Sequence, residues 1–142
     1  MNKQNFIHAD QESGKRFYMD FHDKGSVTML NMLRFKEIAD YTGLEIIAPS
    51  SPISGEQAYR LYMKETLPFI QEAGSEVLFY GKSNHFLIGP EAEKWDVVLL
   101  VRHSSVASFM AFAQNEAYLQ IAGHRTAALE DSRLLPISSL TN

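Results

Sequence analysis

The 142-residue chain has no cysteine. That removes disulfide staples, thiolate nucleophiles, iron–sulfur clusters and cysteine zinc sites, and it fits a reducing compartment. No segment approaches the roughly 18 uninterrupted apolar residues of a transmembrane helix, and the stretch Met1 to Phe6 lacks the apolar core of a signal peptide. A cytoplasmic location away from membranes is therefore expected. No basic run occurs, and 13 Lys and Arg against 17 Asp and Glu leave a net charge of −4, so nucleic acid is not an expected partner. Glycine-rich phosphate loops and the Gly-x-Gly-x-x-Gly pattern are absent, which speaks against a nucleotide or dinucleotide cofactor. The five histidines include no His-x-x-x-His pair, so no metal is expected either. Ser104 and Ser105 lack a Gly-x-Ser-x-Gly elbow, which disfavours a serine hydrolase.

What is present is an ordinary globular composition, 45% hydrophobic and 21% charged. At this length it suits one domain able to bury roughly two-thirds of its unfolded surface without a covalent staple. Residues 1–25 are polar with scattered aromatics and read as an N-terminal arm with one short helix between about Asp10 and Phe21. Residues 26–142 read as a single α+β domain. Val27 to Phe35 is a strand with apolar side chains on both faces. Lys36 to Tyr41 suggests a turn of helix, followed by a loop through Pro49 and Pro52. Ser54 and Gln57 form a capping box that opens a long helix, with Pro68 inside it and Gly74 at its end.

Glu76 to Lys82 is a further strand, and His85 to Ile88 a short segment expected to pair with it. Trp95 to Ser105 reads as a buried strand running into a serine-capped helix whose stripe is Val106, Phe109, Met110 and Ala113. Asn115 marks a break, after which helical spacing resumes over Ala117 to Leu129. Arg133 to Ile137 is the last strand, at an edge where Pro136 is tolerable. The order is β-α-β-β-α-β, that of a ferredoxin-like sandwich. In such a sandwich helices cover one sheet face only. The two central strands are apolar on both faces, so a homodimer built sheet against sheet is expected.

Polar residues in apolar surroundings are the candidate site. Asn31 interrupts a strand face, and Arg34 lies on the opposite face near the strand end, where it could hold a carboxylate or simply pair with an acid. Tyr59 and Tyr62, three apart, can both face the sheet, either as ligand contacts or as core. Tyr118 and Arg125, seven apart, share a helix face, and an arginine on an apolar stripe needs an anion: an acid of the chain or a substrate carboxylate. His124 is the proton-transfer candidate, weighed against an ordinary satisfied helix histidine. His103 and Asp96 fall at opposite ends of one strand and cannot pair directly.

Asn31 to Phe35, Ser54 to Tyr59, Trp95 and Asp96, His103 to Ser105, Tyr118, His124 and Arg125, and Leu129 to Leu134 together resemble the domain-of-unknown-function 1330 family, over about residues 26 to 137. That family is similar to the dimeric α+β barrel superfamily. The resemblance implies a ferredoxin-like protomer whose sheet faces that of a second copy as a dimeric α+β barrel. The superfamily includes cofactor-independent monooxygenases, isomerases, haem proteins and non-catalytic members, so it implies little about chemistry. Two functions stand. One is a cofactor-independent enzyme, monooxygenase- or isomerase-like, acting on a small organic acid or aromatic compound. The other is a non-catalytic dimeric small-ligand-binding or structural module.

Overall fold

In the computed structural model, which describes residues 4–140, the chain begins with α1, Gln11–Phe21. The Asp10 side chain caps it by accepting from the Ser13 backbone N–H. No residue of α1 is buried, and its Phe17 ring meets Phe109 edge-on at 5.5 Å. Then follow β1 (Val27–Phe35), α2 (Gly55–Glu72), β2 (Glu76–Lys82), β3 (Val97–His103), α3 (Val106–Ala113), α4 (Glu116–Ile121), α5 (Gly123–Ala128) and β4 (Leu129–Ile137). The four strands form one antiparallel sheet in the order β2-β3-β1-β4. This is the ferredoxin-like topology, with the two apolar strands β1 and β3 at its centre. Among the described residues no helix is long and apolar enough to cross a membrane.

Register fixes which side chains share a face. Val27, Met29, Asn31 and Leu33 of β1 lie beside His103, Val101, Leu99 and Val97 of β3. This face packs under the helices. The buried cluster of Leu33, Ala58, Tyr59, Tyr62, Tyr118, Ala128 and Leu129 joins it to α2, α4 and α5 at the β1 C-terminal end. The α2 capping box forms as the sequence indicates: Ser54 Oγ accepts from Gln57 N, and Gln57 Oε1 accepts from Ser54 N. Pro68 is accommodated inside α2, which runs unbroken past it.

Three local expectations are corrected. Residues 36–41 form no helix, because their amides bond elsewhere: Lys36 N donates to Ala128 O, Ala39 N to Ile53 O and Asp40 N to Ala127 O. His85 to Ile88 is not a strand paired with β2. It makes a single bridge to Lys94, and Leu87 and Ile88 stand almost fully exposed. Finally, the helix expected to reach Leu129 stops at Ala128, and β4 begins four residues earlier than Arg133. The polar run Glu130 to Ser132 hides this strand, because its side chains bind the N-terminal arm instead of alternating with apolar residues.

That arm is held along β4. Phe6 N donates to Asp131 Oδ1, Ser132 Oγ donates to Phe6 O, and Asn5 Nδ2 donates to Glu130 Oε2. The Arg133 guanidinium lies 5.0 Å from the ring centres of both Phe6 and the fully buried Trp95. Asp131, itself fully buried, also accepts from Arg133 and from the Ser132 amide. Burial disfavours its charged form, but these three donors prevail and hold its carboxyl below the ordinary carboxylate value.

At the head of α2 the backbones of three segments converge. Gly55 N donates to Lys36 O, which follows β1, and a Cβ on Gly55 would collide with the carbonyl oxygens of Lys36 and Ala128. Neither oxygen belongs to a flexible side chain, so the chain has to shift. Gly55→Ala is expected to lower stability by about 1–3 kcal/mol, the ordinary range for overpacking. Denaturant unfolding measures this, and a loss within about 0.3 kcal/mol would contradict the close approach.

Candidate functional site

Between the helix-covered sheet face and the helices lies a cavity of about 460 Å³. Its floor is Met29, Asn31, Leu99, Val101 and His103 of the two central strands. α2 lines it with Tyr59, Tyr62, Thr66 and Ile70, and α3 to α5 with Phe109, Phe112, Tyr118 and Arg125. Ile7, His8 and Ala9 of the arm complete the wall. The volume falls in the ordinary range for small-molecule sites, and the lining is apolar with a few converging polar groups.

Of the residues singled out from sequence, Asn31, Tyr59, Tyr62, Tyr118 and Arg125 meet in this cavity. Asn31 Nδ2 donates to both Met29 O, at 3.3 Å, and Leu99 O, at 3.2 Å. Its Oδ1 is the atom left to meet a ligand. The Tyr62 and Tyr118 hydroxyls are 2.6 Å apart, and Tyr59 packs on Tyr62 with ring centres 5.2 Å apart. Burial raises the Tyr59 and Tyr62 phenols well above the ordinary tyrosine value, so both are neutral hydrogen-bonding groups at pH 7.

Arg125 is half-buried in the cavity wall. Its Nη1 donates to Ile7 O at 2.8 Å, which fastens the arm across α5. Among the described residues no Asp or Glu comes within ion-pair distance of it, whereas Arg34, Arg60, Arg102 and Arg133 all have acids. An arginine so positioned is a cation facing apolar walls with its charge uncompensated.

Arg34 and His124 lie elsewhere. Arg34 is on the opposite sheet face, 3.7 Å from Asp131 Oδ2; the register shift against β4 comes after it, so it stays across from Asn31. His124 is buried outside the cavity wall, with Nδ1 2.7 Å from the Tyr41 hydroxyl and Nε2 3.3 Å from Glu65. It ties the 36–53 connection to α2 and α5.

Two buried polar residues of the cavity were not candidates from sequence. His103 is buried at the end of β3, its Nδ1 2.7 Å from Ser75 Oγ, with the Phe109 and Phe112 rings packed on it. Thr66 is buried to 1% exposure, and among the described residues its hydroxyl has no hydrogen-bond partner. The signal for Thr66 was there: it sits on the buried α2 stripe Ala58, Tyr59, Tyr62, Thr66 and Ile70, where a lone polar residue calls for an explanation. His103 was legible as the one polar member of the alternation Leu99, Val101, His103. Among the described residues no three His, Asp or Glu gather in a metal-binding group.

The four-stranded antiparallel sheet, its one-sided helix layer and the cavity between them define an α+β protein of the ferredoxin-like class. A family model described as "Domain of unknown function (DUF1330)" matches residues 46–137, and the chain belongs to that family. Similar solved structures include the RPA0582 protein of unknown function from Rhodopseudomonas palustris, 29% identical over 98% of this chain and 100% of that one, with a TM-score of 0.83. A methylated form of RPA0582 is 30% identical over 96% of both chains, with a TM-score of 0.84. The hydroxynitrile lyase from Passiflora edulis shares the fold at 16% identity, covering 84% of this chain and 98% of that one, with a TM-score of 0.54. No curated protein matches the chain.

Burial lowers the His103 imidazole from the ordinary 6.5 to about 4, so the folded protein keeps the ring neutral. Below pH 6.5 the unfolded chain takes up a proton that the folded chain refuses. Stability fully present above that value is lost as the pH falls to about 4, by on the order of 1 kcal/mol per pH unit for this group. The stability difference between the wild type and His103→Phe, measured by urea unfolding, is therefore expected to move in favour of the variant as pH falls from 6.5 to 4. A difference independent of pH would contradict the buried neutral ring.

Proposed function

We propose that the chain is a dimeric α+β barrel protein whose cavity, one per copy, binds a small carboxylic acid with an apolar or aromatic body. The observation that carries this is Arg125, half-buried in an apolar wall with a backbone carbonyl but no carboxylate as partner among the described residues. A ligand carboxylate would compensate it through a charge-assisted, planar pair. The Tyr62 and Tyr118 hydroxyls and Asn31 Oδ1 add neutral hydrogen-bonding groups beside it.

Any reaction at this site would be cofactor-independent acid–base chemistry, isomerase-like or, with dioxygen as oxidant, monooxygenase-like. The buried imidazole of the cavity, able to carry a proton, is the neutral His103, and the tyrosine pair could donate to an oxygen on which charge develops. A second reading, a non-catalytic binding module, is favoured by one observation. At about 4, His103 is a weak base, and His124 lies outside the cavity wall. The two readings part on solvent deuterium exchange into a bound acid, followed by NMR: the enzyme exchanges an α-hydrogen and the binding module does not.

The dimer rests on the uncovered sheet face. Leu30, Met32, Val98, Leu100, Phe79, Leu135 and Ile137 are contiguous there by register, and Phe79 and Leu135 are more than half exposed. Ion pairs border this apolar centre, Glu76 with Arg102 at one end and Arg34 with Asp131 at the other. The occupant proposed is a second copy, since a two-fold axis sets this patch against itself.

Isothermal titration with 3-phenylpropanoate is expected to give saturable binding of one acid per chain, weakened at least ten-fold in Arg125→Gln, with the matching amide failing to bind. Equal affinity for acid and amide would contradict the arginine's role. Light scattering is expected to give about twice the 16.1 kDa chain mass, and Leu135→Arg the single chain. A wild-type monomer would remove the sheet-to-sheet dimer.

A further inference from the structure

We infer that the acid taken by this cavity carries a second hydrogen-bonding oxygen, a hydroxyl above all, away from its carboxylate, read by Thr66 and His103. This rests on the carboxylate reading of Arg125. Thr66 is the first observation. A threonine inside a helix ordinarily returns its hydroxyl to the carbonyl four residues back, here that of Tyr62, and so needs nothing else. Thr66 does not: the residue lines the cavity, and among the described residues its buried Oγ1 has no partner. Buried polar atoms are almost always bonded, so an unbonded one on a cavity wall marks where a ligand atom belongs.

His103 is the second. Its Nδ1 is taken by Ser75, which fixes the ring and leaves Nε2 as the nitrogen free to serve a ligand. If Ser75 donates to Nδ1, Nε2 bears the proton and donates; if Nδ1 donates to Ser75, Nε2 accepts. A hydroxyl on the ligand answers either tautomer, because it both donates and accepts.

His103 stands at one end of the cavity and Arg125 toward the other, with Thr66 between them on α2. Ser75, which holds His103, donates its amide to Ile70 O, one helical turn beyond Thr66. Arg125 instead holds Ile7, the neighbour of Phe6, which is bonded to Ser132 opposite Leu33. From the level of Asn31 and Leu99 to that of Val27 and His103 is four strand residues, roughly 13 Å. The intervening wall is apolar: Met29, Val101, Ile70 and Phe112. The fitting ligand is elongated, acid at one end, hydroxyl away from it, with an apolar or aromatic body between.

The test compares two matched pairs of acids by titration calorimetry: 3-(4-hydroxyphenyl)propanoate with 3-phenylpropanoate, and 6-hydroxyhexanoate with hexanoate. The hydroxylated member of at least one pair is expected to bind ten-fold or more tightly. Thr66→Val, which keeps the side chain's shape, is expected to reduce that preference to less than three-fold. His103→Gln is expected to reduce it as well. Binding of the plain acids without any hydroxyl preference, unchanged in Thr66→Val, would overturn the inference and leave the Arg125 reading intact. Failure of all four acids to bind would instead overturn the carboxylate reading on which it rests.

Discussion

Everything in this fold answers to β1 and β3, two neighbouring central strands that are apolar on both faces. Water cannot be the solvent of either side. On one side the chain supplies its own cover, α2 to α5, fastened at the head of α2 where Gly55, Lys36 and Ala128 meet backbone to backbone. On the other side the described chain supplies little beyond ion pairs at the two ends of an open apolar patch. The helix-covered cavity and the proposed dimer are thus two responses to one pattern of side chains.

The helix layer does not close down fully on the sheet. At the β1 C-terminal end, Leu33, Tyr59, Tyr62, Tyr118 and Leu129 make a dense aromatic and aliphatic contact. Toward the other end, Val27, Val106 and the Phe109 and Phe112 rings around His103 close it again. The space left between them is the cavity, bounded by aromatic rings at both ends. The N-terminal arm belongs to the same design. Ile7 is held by Arg125, Phe6 by Asp131 and Ser132, and the arm thereby becomes one wall of the site. Asp131 is the hub of that attachment, linking arm, β4 and two arginines.

Much of this was legible in the residues because periodicity reports burial directly. The two-faced strands, the capped α2 and the break at Asn115 all follow from spacing and capping chemistry, and Asn115 does accept from Tyr118 N as a cap. Tyr59, Tyr62, Tyr118, Asn31 and Arg125 stand out as polar atoms on apolar stripes, and all five line the cavity. What was hidden was hidden for physical reasons. The start of β4 carries Glu130, Asp131 and Ser132 because its edge binds the arm, so hydrophobic alternation is lost there. Residues 36–41 look helical locally, but their amides have tertiary partners. His124 and His103 exchange emphasis because a sequence does not tell which histidine faces a cavity and which is fixed between Tyr41 and Glu65.

The most direct test is a crystal structure of the protein as purified, read at Arg125. Density for a small anion paired with the guanidinium inside the cavity, its apolar body against Met29, Val101 and Phe112, is the expected result. A cavity filled only by ordered water, with Arg125 turned onto a carboxylate of the chain itself, would contradict the central claim that this arginine is there to hold an acid.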